Sequence, residues 1–153
     1  MSEQSHPMER RLVVRLLQYW RGLSDDEDSM PSESDIDPKA IPDMWPNCVL
    51  LDVAGKETDP EIIYIGSELA SRADADVSGK KLSATPAKTL VSESLSYYGQ
   101  VLAKRVPITF GGEFIDSRGV KILYRSIILP LSADGNGINR LLGAANCREV
   151  VSD

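Results

Sequence analysis

Residues 121–147 read KILYRSIILPLSADGNGINRLLGAANC. Two apolar runs, 122–131 and 138–147, flank the hexapeptide Ser-Ala-Asp-Gly-Asn-Gly. Asp-Gly and Asn-Gly between runs rich in Ile, Leu and Tyr predict an antiparallel hairpin. The first run is apolar on both faces: Ile122, Tyr124 and Ile128 alternate with Leu123, Ile127 and Leu129. A strand buried on both sides is expected at the centre of its sheet. Each face then needs a cover, and the search for those covers organises the remaining sequence.

Working outward on the N-terminal side, residues 107–115 predict a strand that Asp116-Ser117-Arg118-Gly119 turns into the central one. Before it, Thr85-Pro86 predicts the start of a long helix to Arg105, with Thr as N-cap and Pro in the first turn. Its inward stripe is Ala87, Val91, Leu95, Tyr98 and Val101 or Leu102. Residues 67–84 predict short helical turns broken at Gly79. Residues 47–53 (NCVLLDV) and 61–66 (EIIYIG) predict two further strands joined by a polar loop. The order implies an α+β domain, a five-stranded antiparallel sheet with helices over one face.

The other face finds its cover near the N-terminus. From Met8 to Leu23 the spacing is helical, with Leu12, Leu16, Trp20 and Leu23 on one stripe and Val13 and Leu17 widening it. This amphipathic helix is expected on the free sheet face. The same stripe (Leu12, Leu16, Trp20, Leu23) is also a candidate interface for a homodimer, because Trp20 anchors well in either role. The expected organisation is a tail at 1–7, the helix at 8–23, an acidic, Pro-containing loop at 24–40, and the main domain at 41–153. The loop SDDEDSMPSESDIDP carries seven acids and no base, without the spaced ligands and central Gly of an EF-hand. It is expected to be solvated.

Composition narrows the role. The chain has 153 residues, 42% hydrophobic and 26% charged, which suits one globular domain with a real core. Its net charge of −6 argues against nucleic acid as partner. The absence of an apolar run near the ~20 residues that span a bilayer argues against membrane insertion. The first residues, MSEQSHPMERRL, lack the pattern of a signal peptide, and two cysteines make no disulfide framework, so a cytoplasmic location is expected.

The order of elements resembles the PAS domain, the small sensor fold whose helical middle and sheet enclose a pocket. Residues 74–82 (DADVSGKKL) resemble the acidic-x-x-Gly-Lys/Arg segment before the family's long helix, and 101–107 (VLAKRVP) its run into the third strand. LLQYW, MPSESDIDP, ILPLSADG and LLGA, in that order, resemble a family of small stand-alone PAS proteins of alphaproteobacteria. One departure is that the stretch Ser24–Asp28 and Glu33 are acidic where that resemblance leads one to expect basic residues. The resemblance implies a signalling module. With the chain ending just after the last strand, its signal is expected to leave through protein–protein contacts.

Candidate chemistry is sparse. Asn146-Cys147-Arg148 resembles part of the flavin-bonding motif of light-sensing PAS domains, but here it falls in the last strand instead of before the long helix. The only histidine is His6, so no axial haem ligand, zinc set or catalytic base is expected within the core. Asp116, Glu113 and Glu61 fall at strand ends or turns, where carboxylates are solvated. No cofactor is expected and no enzymatic activity. Polar groups within apolar stretches must find partners or face a pocket. Tyr64, Tyr98, Tyr124 and Ser126 are therefore the candidate ligand-binding residues, although a filled core is the alternative. The expected function is a sensor or interaction module tuned by a small ligand. A ligand-free structural adaptor is the first alternative, and a small hydrolase or isomerase the second.

Overall fold

A computed structural model describes residues 11–24, 26, 29–54 and 59–151. Strands β1 (Cys48–Asp52), β2 (Glu61–Ile65), β3 (Ile108–Ile115), β4 (Lys121–Leu131) and β5 (Arg140–Val150) form one antiparallel sheet in the order β2-β1-β5-β4-β3. The predicted hairpin is its spine. β4 and β5 pair over their whole length, from Lys121↔Val150 to Leu131↔Arg140. At the turn, the Asp134 carboxylate accepts the amides of Asn136 and Gly137, and Gly135 takes a positive φ of 83°.

The strand buried on both faces is not the central one. β5 holds the centre, between β1 and β4, and β4 lies between β5 and β3. An interior strand one place from the edge meets the same requirement of two covered faces. On the inner face, Tyr124 and Ile128 of β4 join Val49, Leu51, Leu141 and Ala145 beneath the helices. On the outer face, Ile127, Leu129 and Leu131 join Cys48, Leu50, Leu142 and Ala144.

Helix α1 (Arg11–Gly22) covers the outer face. Residues 8–10 of the predicted helix, like the tail at 1–7, lie outside the described residues. Leu12, Val13 and Leu16 are buried against the sheet, and the Trp20 indole N–H donates to the Pro130 carbonyl at 2.9 Å. The stripe offered as a dimer interface is therefore spent within the chain: Leu12 and Leu16 are core residues, Trp20 is bonded to β4, and Leu23 is half-buried. The apolar residue that α1 leaves outside is Val14, 53% exposed. α1 shares one core with the sheet, as its expected place on the free face requires.

The acidic loop is more than solvated chain. Glu33 pairs with Arg140 at 3.0 Å, and Arg140 also grips Asp52, its cross-strand neighbour, at 2.7 Å. Asp35 and Ser32 make a capping box around a single helical turn, Glu33–Asp35. Nearby, the Ser132 amide donates to the Pro31 carbonyl at 2.9 Å. These contacts fasten the loop to the end of the β4–β5 hairpin.

The long helix expected at 85–105 is two short ones. Thr89, not Thr85, caps α3 (Leu90–Ser94), and α4 (Tyr98–Lys104) follows after a break; the first of the helices, α2 (Ser67–Ala70), lies upstream. Lys88 adopts φ 59°, which stops a helix from running on from Pro86 into Leu90. Leu95 leaves helical geometry at φ −108°, ψ 4°, and the Ser96 hydroxyl takes the Glu93 carbonyl that the next turn would need.

Replacing Leu16 by Ala should cost about 2–5 kcal/mol, because it empties a fully buried site between helix and sheet. Denaturant unfolding measures it, and a loss below ~1 kcal/mol would detach α1 from the core. A second expectation concerns alkaline pH. Burial pushes the Cys48 thiol up to about 12 from its usual 9.0. The unfolded chain ionises this thiol first, so stability present below pH ~9 is lost progressively toward 12. The decline in unfolding free energy between pH 8 and 10 should be smaller in Cys48→Ala.

Candidate functional site

The described residues form a cleft of about 420 Å³ at one end of the helix-covered face. Its architecture begins at Gly66, just ahead of α2. A Cβ there would stand 2.4 Å from the Pro46 carbonyl oxygen, so only glycine lets α2 start against the turn Trp45–Asn47. α2 then presents Glu68, and the turns after it bring Arg72 and Asp74 to the cleft. The opposite approach is the strained corner at Lys88, followed by Thr89 and Leu90. The Asp116–Ser117–Arg118 turn between β3 and β4 and Glu149 of β5 complete the wall; Leu90, Phe114 and Ile122 supply its apolar part.

Charges at this mouth are largely paired. Arg118 reaches Asp116 at 2.7 Å and Glu149 at 2.8 Å, and Arg72 stands 3.9 Å from Glu149. Hydrogen bonds from Arg118, and then from the Val120 and Arg118 amides, hold the Asp116 carboxyl below its usual range against the opposing effect of burial. The Ser117 hydroxyl donates to Asp74 at 3.3 Å. Asp74 and Lys88 both carry positive φ (64° and 59°) and both line the cleft. Left-handed backbone is uncommon for residues with side chains and gathers at sites where the surroundings impose it.

The four residues singled out as ligand-binding are not brought together. Tyr124 and Ser126 share the inner face, deeper than the cleft. Tyr64 packs on the opposite face, stacked on Trp45 at 4.5 Å, with its hydroxyl donating to the Trp45 carbonyl at 3.4 Å. Tyr98 is half-buried at the core's margin, and its neighbour Tyr97 reaches Ser126 at 2.9 Å between the two hydroxyl oxygens. The break between α3 and α4 is the cause. An unbroken period through Val91 and Leu95 turns Tyr98 inward, whereas the break gives that place to Tyr97. Phe110 and Phe114, which sequence reasoning passed over, ring Tyr124 at 6.3 and 5.9 Å. Their alternation within the third strand was the available signal. Burial pushes the Tyr97 phenol well up, so it stays a neutral hydroxyl.

The interior above the sheet is packed. A Cβ on Gly143 would lie 2.9 Å from a Leu95 methyl and 3.0 Å from Val49, so α3 touches the backbone of β5. Cys147, on β5, is half-buried beside this core, and burial first of all raises its thiol above the usual value. No group of three or more His, Cys, Asp or Glu among the described residues could hold a metal ion. No helix among them is long and apolar enough to cross a membrane.

A five-stranded antiparallel sheet, packed helices on its inner face, a helix over its outer face and a cleft at the rim define the sensory-domain class of α+β fold. The family model described as the PAS domain matches residues 8–146, and this chain belongs to the PAS-domain family. The match takes in α1 and the acidic loop, in keeping with their place in the fold. The structure is similar to that of the photo-excited blue-light photoreceptor Vivid, with 12% identity, a TM-score of 0.51, and coverage of 87% of this chain and 94% of that one. It is also similar to a light-oxygen-voltage domain described with a flavin analogue, at 18% identity, TM-score 0.50, and 75% and 84% coverage. At such identities the likeness is one of fold. No curated protein matches the sequence.

The bond between Tyr97 and Ser126 should show in a double-mutant cycle. Tyr97→Phe and Ser126→Ala should each cost about 0.5–1.5 kcal/mol, with the double variant costing less than their sum. Strict additivity would mean that the two hydroxyls do not interact.

Proposed function

We propose that this PAS domain is a non-catalytic sensor module of the cytoplasm that acts by contacting protein partners, with a small ligand at the rim cleft adjusting those contacts. The observation that carries this reading is the contrast between a packed interior and an open, charge-lined cleft. Leu95 lies against Gly143 of β5, while the cleft beside Leu90 stays open to solvent.

That contrast also separates the chain from its photoreceptor neighbours. Those structures are described by a flavin analogue and by blue light. Here the Leu95 side chain lies against the β5 backbone at Gly143, and Cys147 is a strand residue whose thiol burial keeps protonated. No flavin step is assigned to this protein.

The partner surface favoured by the fold is the groove where α1 meets the edge strand β3. It is lined by Val13, Val14, Thr109, Phe110, Gly111 and Arg125. Val14 is 53% exposed, and an edge strand offers backbone hydrogen bonds to an incoming segment. Arg125 in the floor complements an acidic extended segment of a partner protein. A second copy of this chain, joined at the same groove, is the competing occupant.

A photo-crosslinking residue at Val14 in the full chain, expressed in its own host, tests this. The expected product is a discrete adduct with a different protein, lost when Arg125 is changed to Glu. Adducts only with a second copy would replace the partner reading by a homodimer, and the absence of any adduct would overturn the assigned surface.

A further inference from the structure

We infer that the rim cleft takes a small zwitterion with an apolar tail, the chemistry of a free amino acid bearing an aliphatic or aromatic side chain. The inference rests on the sensor reading above and adds the class of ligand. It follows from sorting the charges of the cleft by what already neutralises them. Arg118 is saturated by Asp116 and Glu149, and Asp116 is further engaged by the amides of its own turn. Arg72 adds a looser contact to Glu149. Once these are set aside, three charges remain: Glu68 on α2, Asp74 in the turns after it, which accepts only the Ser117 hydroxyl, and Lys88 on the corner before α3. None of these side chains forms an ion pair among the described residues, and all three border the cleft.

Two unpaired anions and one unpaired cation still favour a ligand that brings both signs. A simple carboxylate answers Lys88 and leaves Glu68 and Asp74 facing negative charge; a simple amine answers the two carboxylates and leaves Lys88 facing positive charge. A zwitterion satisfies both signs at once, its ammonium toward Glu68 and Asp74 and its carboxylate toward Lys88. Leu90, Phe114 and Ile122 provide the apolar surface for its tail. A volume of about 420 Å³ holds such a molecule. The left-handed backbone at Lys88 places the free cation on this wall instead of continuing a helix, which gives an otherwise costly conformation a use.

The test is calorimetric titration of the full chain with L-phenylalanine, with N-acetyl-L-phenylalanine, whose ammonium is blocked, and with L-phenylalaninamide, whose carboxylate is blocked. The zwitterion should bind saturably, and blocking either end should weaken binding about fivefold or more. Lys88→Gln should weaken the zwitterion and abolish its advantage over the amide. The double variant Glu68→Gln with Asp74→Asn should abolish its advantage over the N-acetyl derivative. The unliganded melting temperature of each variant reports that it is folded. Equal binding of all three probes, preference for a blocked one, or no saturable binding of L-phenylalanine or L-leucine at millimolar concentration would overturn the assignment. Cross-linking from Val14 is scored separately, so a failure here leaves the partner surface standing, and a failure there leaves the ligand class standing.

Discussion

The fold depends on one constraint: β4 is apolar on both faces and must be covered twice. Its pairing with β5 over eleven positions aligns both strands so that each face presents a continuous apolar surface. Helices α2 to α4 and the turns between them meet one surface, and α1 meets the other. Burying these side chains is worth roughly 25 cal/mol per Å² of apolar area, which makes the two covers, more than any polar contact, the main source of stability. Hydrogen bonds then set position. The Trp20 indole on Pro130 fixes where α1 crosses, using a carbonyl of the very strand it covers.

The same hairpin organises the polar periphery. Arg140 opens β5 and joins Glu33 of the acidic loop to Asp52 of β1, so that three distant segments meet at one guanidinium. Arg suits this place because its planar fork addresses two carboxylates together. At the opposite end of the hairpin, Arg118 plays a similar part for Asp116 and Glu149 beside the cleft. These pairs are part-exposed and individually weak, so their effect is to hold loops in register with the sheet.

Between those ends, the packed interior moves the site outward. Small residues on β5 usually suggest room, yet at Gly143 the room is taken by Leu95. Tyr97, Ser126 and Tyr124 find protein partners there, so these core polar groups are internally satisfied. The proposed ligand chemistry therefore falls to the rim, where Lys88 and Glu68 stand in strained or short elements without ion-pair partners among the described residues. A rigid core bordered by less regular loops lets a ligand bias those loops without unfolding the domain.

The sequence by itself determined the strands, the hairpin, the two-faced burial of β4 and the amphipathic cover of α1, because each is written in local periodicity and turn chemistry. Residues such as Leu16 and Ile128 declare their burial by spacing alone. Only the tertiary structure decided which strand is central, since strand order rests on pairings between segments far apart in the chain. It alone decided that Leu12 and Leu16 are spent on the chain's own sheet. It also decided that Tyr97 replaces Tyr98, because a break in helical register is set by Lys88 strain and a captured Glu93 carbonyl and leaves little trace in hydrophobic period. The cleft was not legible either: Glu68, Lys88 and Arg118 look like ordinary surface charges until the turn after β3, the start of α2 and the corner before α3 are brought to one place, and charge pairing is a property of that meeting.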